Sequence, residues 1–253
     1  MTRHFLRFFT PPSASQPLLV CLPYAGGGAS AFRAWSTLFD TQIAVAAVQY
    51  PGREDRFTEA TIDDMSRLLT TLMTELQRDI ATRPYALLGH SMGGAIAHEL
   101  AIQLEAQDMP PRHLFISGRQ PPRYHPRDSA VHRSSDSDIL AELRRLNPRN
   151  NALVESPELA ALLVPIIRSD YRLIENYRPH NTPVIGCPID VLAGRDDPDL
   201  PAEQACAWAD YTSASCQVHI FPGDHFFINQ QRDAVVDTVQ QAFLSSLTPC
   251  TKG

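Results

Sequence analysis

A serine lies in the pattern Gly-x-Ser-x-Gly, with Ser91 between Gly89 and Gly93. The apolar run 85–88 before it is typical of a short buried strand, and the residues from Met92 onward favour a helix. On a sharp strand–turn–helix connection the serine oxygen projects clear of the sheet, and residues two positions away have little space for a Cβ atom. The start of the helix also directs N–H groups and its positive dipole end toward an anion beside the serine. This context predicts that Ser91 attacks a carbonyl carbon, and a plain structural turn is the alternative.

A serine hydroxyl needs a base to attack at neutral pH, and the base needs a group that orients it. Among nine histidines, His225 stands out because it follows the last predicted strand in a loop, where catalytic groups lie. The orienting acid should lie between Ser91 and His225, because this architecture uses the order serine, acid, histidine. The loop after the preceding strand offers Asp196, Asp197 and Asp199. We expect Asp197 to be the acid, since it precedes a proline that favours an extended backbone, with Asp196 as its rival.

Two backbone N–H groups are needed to hold the negative charge that develops on the carbonyl oxygen. Met92 follows the nucleophile and supplies one of them. The loop after the first buried strand supplies the other, and the glycines at 26–28 let its backbone approach a ligand closely. The sequence therefore predicts an oxyanion hole formed by Ala25 and Met92, with Tyr24 as the alternative to Ala25.

The same loop formally matches a dinucleotide-binding pattern, Gly-x-Gly-x-x-Ala, at residues 26–31. That pattern needs an acid near the end of the next strand to hold a ribose, whereas this strand ends in Gln49 and Tyr50. No lysine follows the glycines, as a P-loop requires, and the sequence contains no His-Glu-x-x-His pattern of metal ligands. These observations favour a hydrolase that needs neither a metal nor a cofactor.

Hydrophobic periodicity predicts alternating strands and helices over most of the chain. Strands are predicted at 18–24, 43–50, 85–90, 113–118, 188–194 and 216–221, and helices at 29–39, 62–80, 92–107, 201–209 and 232–247. This alternation indicates an α/β fold with a mostly parallel central sheet and helices on both faces. The apolar segment 1–15 is expected to form an arm or an edge strand.

The alternation stops between residues 119 and about 183, where no strand is predicted. Residues 137–146 and 157–177 have helical spacing, and Pro165 is expected to kink or restart the second helix. A long insertion between strands is typical of a lid over a site at the strand ends. An extra helical layer with no role in access is the alternative. We expect one domain, 1–253, with a helical lid inserted at about 119–183.

Composition limits the cellular setting and the partners. The 253 residues include 22 basic and 28 acidic side chains, a net charge of −6, so a nucleic acid is not an expected partner. No segment is long and apolar enough to span a membrane, and the interrupted apolar start does not form a signal-peptide core. The five cysteines are widely spaced, which fits a reducing cytoplasm. We expect a cytoplasmic monomer.

With the candidate triad assigned, the chain resembles the type II thioesterases, the editing enzymes of polyketide and nonribosomal peptide synthesis. The resemblance spans residues 18 to about 245, and its matching stretches are 22–27, 49–56, 89–94, 168–171, 194–198 and 223–227. The block Gln-Tyr-Pro-Gly-Arg-Glu-Asp-Arg at 49–56 is the most specific of them, whereas Gly-x-Ser-x-Gly is generic to the α/β-hydrolases. One departure is Asp224, where the family commonly has glycine.

The resemblance implies an α/β-hydrolase fold with a helical cap and favours Asp197 as the acid. It implies hydrolysis of acyl thioesters on the phosphopantetheine arm of acyl or peptidyl carrier proteins, which removes aberrant or stalled groups. The matching residues Arg53, Glu54 and Arg56 are interpreted as an ion-pair network that braces the loop near the site.

A basic segment, 112–133, lies at a predicted strand end and at the entry to the expected lid. Arg119, Arg123 and Arg127 in it are candidates for docking an acidic carrier domain, and a solvated surface loop is the alternative. Two other functions remain open. A carboxylesterase or lipase that acts on free oxoesters shares every catalytic part, and a carrier-binding scaffold needs no catalysis.

Overall fold

Seven strands form the central sheet of the structure, a computed structural model that describes residues 5–39, 42–126, 128–147, 156–179 and 183–248. The strands are β1 (Leu6–Phe8), β2 (Leu18–Leu22), β3 (Ala44–Val48), β4 (Tyr85–His90), β5 (His113–Ser117), β6 (Ile189–Gly194) and β7 (Cys216–Phe221). Their order across the sheet is β1-β3-β2-β4-β5-β6-β7. β1 pairs antiparallel with β3, and the other pairings are parallel. The predicted α/β class with a mostly parallel sheet is confirmed.

The five central strands, β2 to β6, are buried along their whole length. Parallel strands are covered on both faces, which explains why their sequences are continuous apolar runs rather than alternating patterns. The apolar N-terminal segment contributes the edge strand β1, with Leu6 opposite Val48. Residues 1–4 of that segment lie outside the described residues.

Helices cover both faces of the sheet. The described α-helices are α1 (Met65–Ile80), α2 (Met92–Glu105), α3 (Asp136–Leu146), α4 (Pro157–Asn176), α5 (Ala202–Cys206), α6 (Phe227–Gln230) and α7 (Arg232–Leu247). Alternate residues of β2 face opposite layers: Leu18 and Val20 pack with α1 and α2, whereas Leu19 and Cys21 pack with α7. Each buried aliphatic side chain of these layers contributes roughly 1.5–3 kcal/mol.

Three helices differ from their predicted form. The helix predicted at 29–39 is a 3-10 helix over Ala29–Thr37, and its buried Phe32 and Trp35 are spaced for three residues per turn. The helix predicted from residue 62 starts at Met65, because the Asp64 side chain caps it by accepting from a backbone N–H in its first turn. The helix predicted at 201–209 is short α5 followed by a 3-10 helix, Ala207–Tyr211.

The segment between β5 and β6 is helical in its described part. Two 3-10 helices, Pro122–Tyr124 and Val131–Arg133, precede α3 and α4. A separate small core of Ile139, Val164 and Ile167 joins α3 to α4. Helix α4 continues through Pro165 as one element, so the predicted restart does not occur.

Candidate active site

The nucleophile turn is fixed by two close backbone approaches. Ser91 has φ 55° and ψ −116° where β4 ends and α2 begins, and its N–H donates to the Ser117 carbonyl of β5 at 2.8 Å. A Cβ atom on Gly89 would lie 2.0 Å from the Gly93 carbonyl oxygen, and one on Gly93 would lie 2.1 Å from the Leu22 carbonyl oxygen. No side chain fits at either glycine, which gives the Gly-x-Ser-x-Gly pattern its physical reason.

The structure brings His225 and Asp197 together. His225 Nδ1 lies 2.9 Å from Asp197 Oδ2, and the two side chains are 2% and 0% exposed. Asp197 Oδ1 accepts the Asp199 N–H at 2.9 Å, which fixes the carboxylate to its own loop. An ionised carboxylate only accepts, so the imidazole proton lies on Nδ1 and Nε2 is left as a base. The rival Asp196 is exposed, and its N–H donates to a backbone carbonyl.

Ser91 and His225 line one cavity of about 360 Å³. In the described part of the chain no hydrogen bond joins the Ser91 hydroxyl to the imidazole, a contact that tightens in many enzymes only when substrate is bound. Ala25, Met92 and Tyr24 line the same cavity. The predicted nucleophile, base and oxyanion-hole residues therefore meet at one edge of the sheet.

The loop that carries Ala25 is held by a buried ion pair. Gly26, with φ 78°, donates its N–H to Asp170 Oδ2 of α4 at 2.7 Å. Arg53 binds both oxygens of Asp170, at 2.6 and 2.8 Å, and also donates to the Gly27 carbonyl at 3.1 Å. These side chains are 5% and 3% exposed. The bracing network around Arg53 thus joins the candidate oxyanion loop to the helical insertion.

Two other residues of the 49–56 block, Gln49 and Glu54, brace the same loop and the 3-10 helix that follows it. Gln49 Oε1 accepts the first N–H of the 3-10 helix, from Ala29, at 2.7 Å. The Glu54 carboxylate accepts from the Ser30 hydroxyl at 2.5 Å and from its N–H at 3.2 Å. Because carboxylates already take N–H groups of this loop, a dinucleotide phosphate would meet negative charge there.

His90 is a site residue that the sequence patterns do not single out. It is fully buried, its Nδ1 lies 2.9 Å from the Ser117 hydroxyl, and its ring centroid lies 5.1 Å from that of His225. Burial, followed by the nearby His225, lowers the pKa of His90 well below its usual value, so the ring is neutral. Its position beside Ser91 in the motif was the signal for this packing role.

The three candidate docking arginines have different environments. Arg119 lines the cavity, and its Nη2 lies 2.7 Å from His125 Nδ1. Arg123 is exposed and forms an ion pair with Asp210. Arg127 lies outside the described residues. Arg119 therefore differs from Arg123 in lining the cavity, and a docking role for these arginines stays a prediction.

The helical insertion also contacts the acid loop. Arg145 of α3 donates to Glu142 at 2.8 Å and to Asp199 Oδ1 at 2.7 Å. Glu175 of α4 accepts from the N–H groups of Val131 and His132 at 2.8 and 3.0 Å, which fixes the 3-10 helix in front of α3. These contacts hold the insertion against the site, where its residues form one wall of the cavity.

The parallel sheet, the nucleophile turn and the buried Asp–His pair define an α/β-hydrolase. The chain belongs to the thioesterase family, whose domain matches residues 17–243. It is thus a hydrolase that acts on thioesters, and the predicted resemblance is confirmed by its relatives. No helix in the described ranges has the length and apolarity needed to cross a bilayer.

The similar proteins include named thioesterases and a solved type II thioesterase. The chain is 38% identical, over 94% of its length, to the probable cadicidin biosynthesis thioesterase of Streptomyces griseus and spans 65% of that relative. It is 34% identical to the thioesterase PikA5 of Streptomyces venezuelae, over 95% of this chain and 85% of that one. The solved structure of the type II thioesterase BorB, from the borrelidin biosynthetic cluster, is similar with a TM-score of 0.89 and 34% identity, over 96% of this chain and all of that one.

Proposed function

We propose that this protein is an editing thioesterase that removes aberrant or stalled acyl groups from the phosphopantetheine arm of acyl or peptidyl carrier proteins. The observation that carries the proposal is the buried Asp197–His225 pair beside Ser91 in one cavity. The family and the relatives named above support the substrate class.

The reaction runs through an acyl-enzyme. His225 Nε2 takes the hydroxyl proton as Ser91 Oγ attacks the thioester carbonyl carbon. The Ala25 and Met92 N–H groups hold the oxyanion of the tetrahedral intermediate. Its collapse breaks the C–S bond, and the leaving thiolate takes the proton from His225.

Hydrolysis of the acyl-enzyme repeats these steps with water. His225 takes a proton from water, whose oxygen attacks the ester carbonyl, and then returns a proton to Ser91 as the carboxylic acid leaves. Asp197 keeps the imidazole in the tautomer with the proton on Nδ1 and stabilises the imidazolium. A protein that only binds carriers would need none of this alignment.

The direct test is labelling and turnover with the serine replaced. The wild-type protein should react with a fluorophosphonate probe and hydrolyse butyryl-pantetheine, and Ser91→Ala should do neither. Ser66→Ala is the matched control, because Ser66 is exposed on α1. Labelling that persists in Ser91→Ala would refute the nucleophile assignment.

An oxoesterase is the second candidate, because it would share all of these parts. Rates on butyryl-pantetheine and on the matched oxoester separate the two functions. A higher kcat/KM on the oxoester would overturn the thioesterase proposal for this chain.

The carrier domain is the proposed partner, and Arg123 and Arg127 are its proposed contacts. Carrier domains are generally acidic, and a positive surface speeds association with an acidic partner. Charge reversal of both arginines should raise KM for a loaded carrier protein and leave small pantetheine thioesters unaffected. Equal effects on both substrates would rule out a docking role for these two arginines.

The helical segment 119–183 is proposed as the lid of a single domain, in a cytoplasmic monomer. Arg145 and Glu175 of this segment line the cavity and supply the physical support for a lid. Light scattering should give one 28.1 kDa species, and deletion of α3 should abolish turnover of long acyl groups first. A stable dimer would overturn the monomer assignment.

A further inference from the structure

Arg119 is held rigidly beside the nucleophile helix. Its carbonyl oxygen accepts from Trp208 Nε1 at 2.7 Å, and a Cβ atom on Gly94 would lie 2.9 Å from the Arg119 Cβ. Arg119 and its hydrogen-bond partner His125 both line the cavity that contains Ser91. Arg119 is therefore near enough to the nucleophile to contact a bound acyl group.

Most guanidinium groups near the site are neutralised, and this one is not. Arg53 is paired with Asp170, and Arg145 with Glu142 and Asp199. Within the described ranges no carboxylate lies within ion-pair distance of Arg119, and the one hydrogen bond of its guanidinium goes to His125. A guanidinium has five N–H donors, so several are left for a ligand.

Burial does not remove the positive charge of Arg119. Burial lowers its pKa to about 10, against the raising effects of Tyr177 and Asp199. The group therefore carries its charge at neutral pH. A partly buried charge without a carboxylate is costly unless a bound acceptor compensates it.

The rest of the wall is more polar than an alkyl chain requires. Pockets for apolar groups are lined mostly by hydrophobic side chains, whereas this wall includes Gln120, Glu142, Arg145, Glu175, Asp199 and Gln204. Two arginines and three carboxylates line the cavity in total. Because the carboxylates outnumber the arginines, a free carboxylate on the substrate would be repelled by this wall. A neutral oxygen on the substrate would not be repelled in this way.

We infer that Arg119 donates a hydrogen bond to a neutral oxygen on the acyl chain, so that the enzyme selects 3-oxoacyl and 3-hydroxyacyl thioesters over alkyl-acyl thioesters of equal length. This inference rests on the proposed function, since it names the acyl group that the same site takes. A carboxylated acyl group such as malonyl is hydrolysed poorly.

The test compares matched four-carbon substrates on pantetheine. Wild-type kcat/KM should be higher for 3-oxobutyryl and 3-hydroxybutyryl than for butyryl. Arg119→Met should lower kcat/KM for the oxygenated pair about 10- to 100-fold, the loss of one hydrogen bond to a charged group, and spare butyryl. Arg119→Lys should recover part of the loss. Arg144→Met is the control, because Arg144 is exposed on α3 and does not line the cavity.

Three outcomes would overturn the inference. One is an equal loss on butyryl and on the oxygenated substrates in Arg119→Met, with unchanged thermal melting. Another is a loss of kcat/KM in Arg119→Met that disappears when the pantetheine thioesters are replaced by butanethiol thioesters. Arg119 would then contact the amides of the pantetheine arm and not the acyl chain. The third is faster wild-type hydrolysis of malonyl than of 3-oxobutyryl. If wild type hydrolyses none of these thioesters, the proposed function itself fails.

Discussion

The substitution Asp170→Asn removes the charge that compensates buried Arg53 and changes almost nothing in side-chain shape. Asparagine keeps an oxygen for the Gly26 N–H, but its NH2 group replaces the oxygen that accepts from Arg53 Nη2, so the charge and one hydrogen bond are lost together. Breaking a buried ion pair by removing one partner costs about 3–5 kcal/mol. At about 2–4 °C per kcal/mol for a chain of this size, the melting temperature should fall by roughly 6–20 °C.

The matched control is an exposed ion pair that involves the same helix. Arg172 of α4 pairs with Asp63 at 3.0 Å, and these side chains are 46% and 43% exposed. Solvent screens such a pair, so Asp63→Asn should cost about 0–1 kcal/mol. Urea unfolding of both variants measures the two free energies of unfolding under identical conditions.

A double variant separates stability from catalysis. Arg53→Met with Asp170→Leu replaces the pair by apolar groups, which often restores stability. It also leaves the Gly26 N–H without its acceptor, so the loop that carries Ala25 loses its tether and kcat on butyryl-pantetheine should stay low. A loss of about 10²–10³ is the scale for removing one oxyanion donor. If Asp170→Asn costs no more than Asp63→Asn, the bracing role of the pair is wrong.

Two further predictions concern aspartates in β6 and in the loop after it. Asp197→Asn should lower kcat by about 10⁴ because the histidine loses its orienting partner, whereas Asp196→Asn should match wild type; equal losses would reassign the acid. Burial raises the pKa of Asp190, but hydrogen bonds from His113 and His219 outweigh it and lower the pKa to about 2. A depressed pKa gives stability above the unfolded-state value of about 3.9 that is lost as pH falls toward 2. The free energy of unfolding should therefore fall less steeply with falling pH in Asp190→Asn than in the wild type.

Local sequence patterns were sufficient to predict the candidate catalytic residues whose position depends on their neighbours in the chain. Ser91 is marked by two glycines within two residues, and His225 by its place after the last strand. The choice of Asp197 over Asp196 used the following proline and the resemblance. The structure agrees in geometry, because the loop buries one aspartate and exposes the other.

Contacts between distant residues left no local signal. Arg53 and Asp170 are 117 positions apart, and the motif gave a bracing role to Arg53 without naming its partner. Apolar spacing over 29–39 could not distinguish an α-helix from a 3-10 helix, since both place Phe32 and Trp35 inward. The direction of Arg119, toward the cavity instead of solvent, depends on tertiary packing around β5.

The two tethers of the helical insertion differ greatly in strength. Helix α4 is bound to the candidate oxyanion loop through the buried Arg53–Asp170 pair. Helix α3 is bound to the acid loop through Arg145 and Asp199, whose side chains are partly exposed. An exposed pair contributes about 0–1 kcal/mol, and a buried one costs about 3–5 kcal/mol to break. If the insertion acts as a lid, we expect the α3 contact with the acid loop to open before the α4 contact with the oxyanion loop, because breaking the exposed pair costs less free energy.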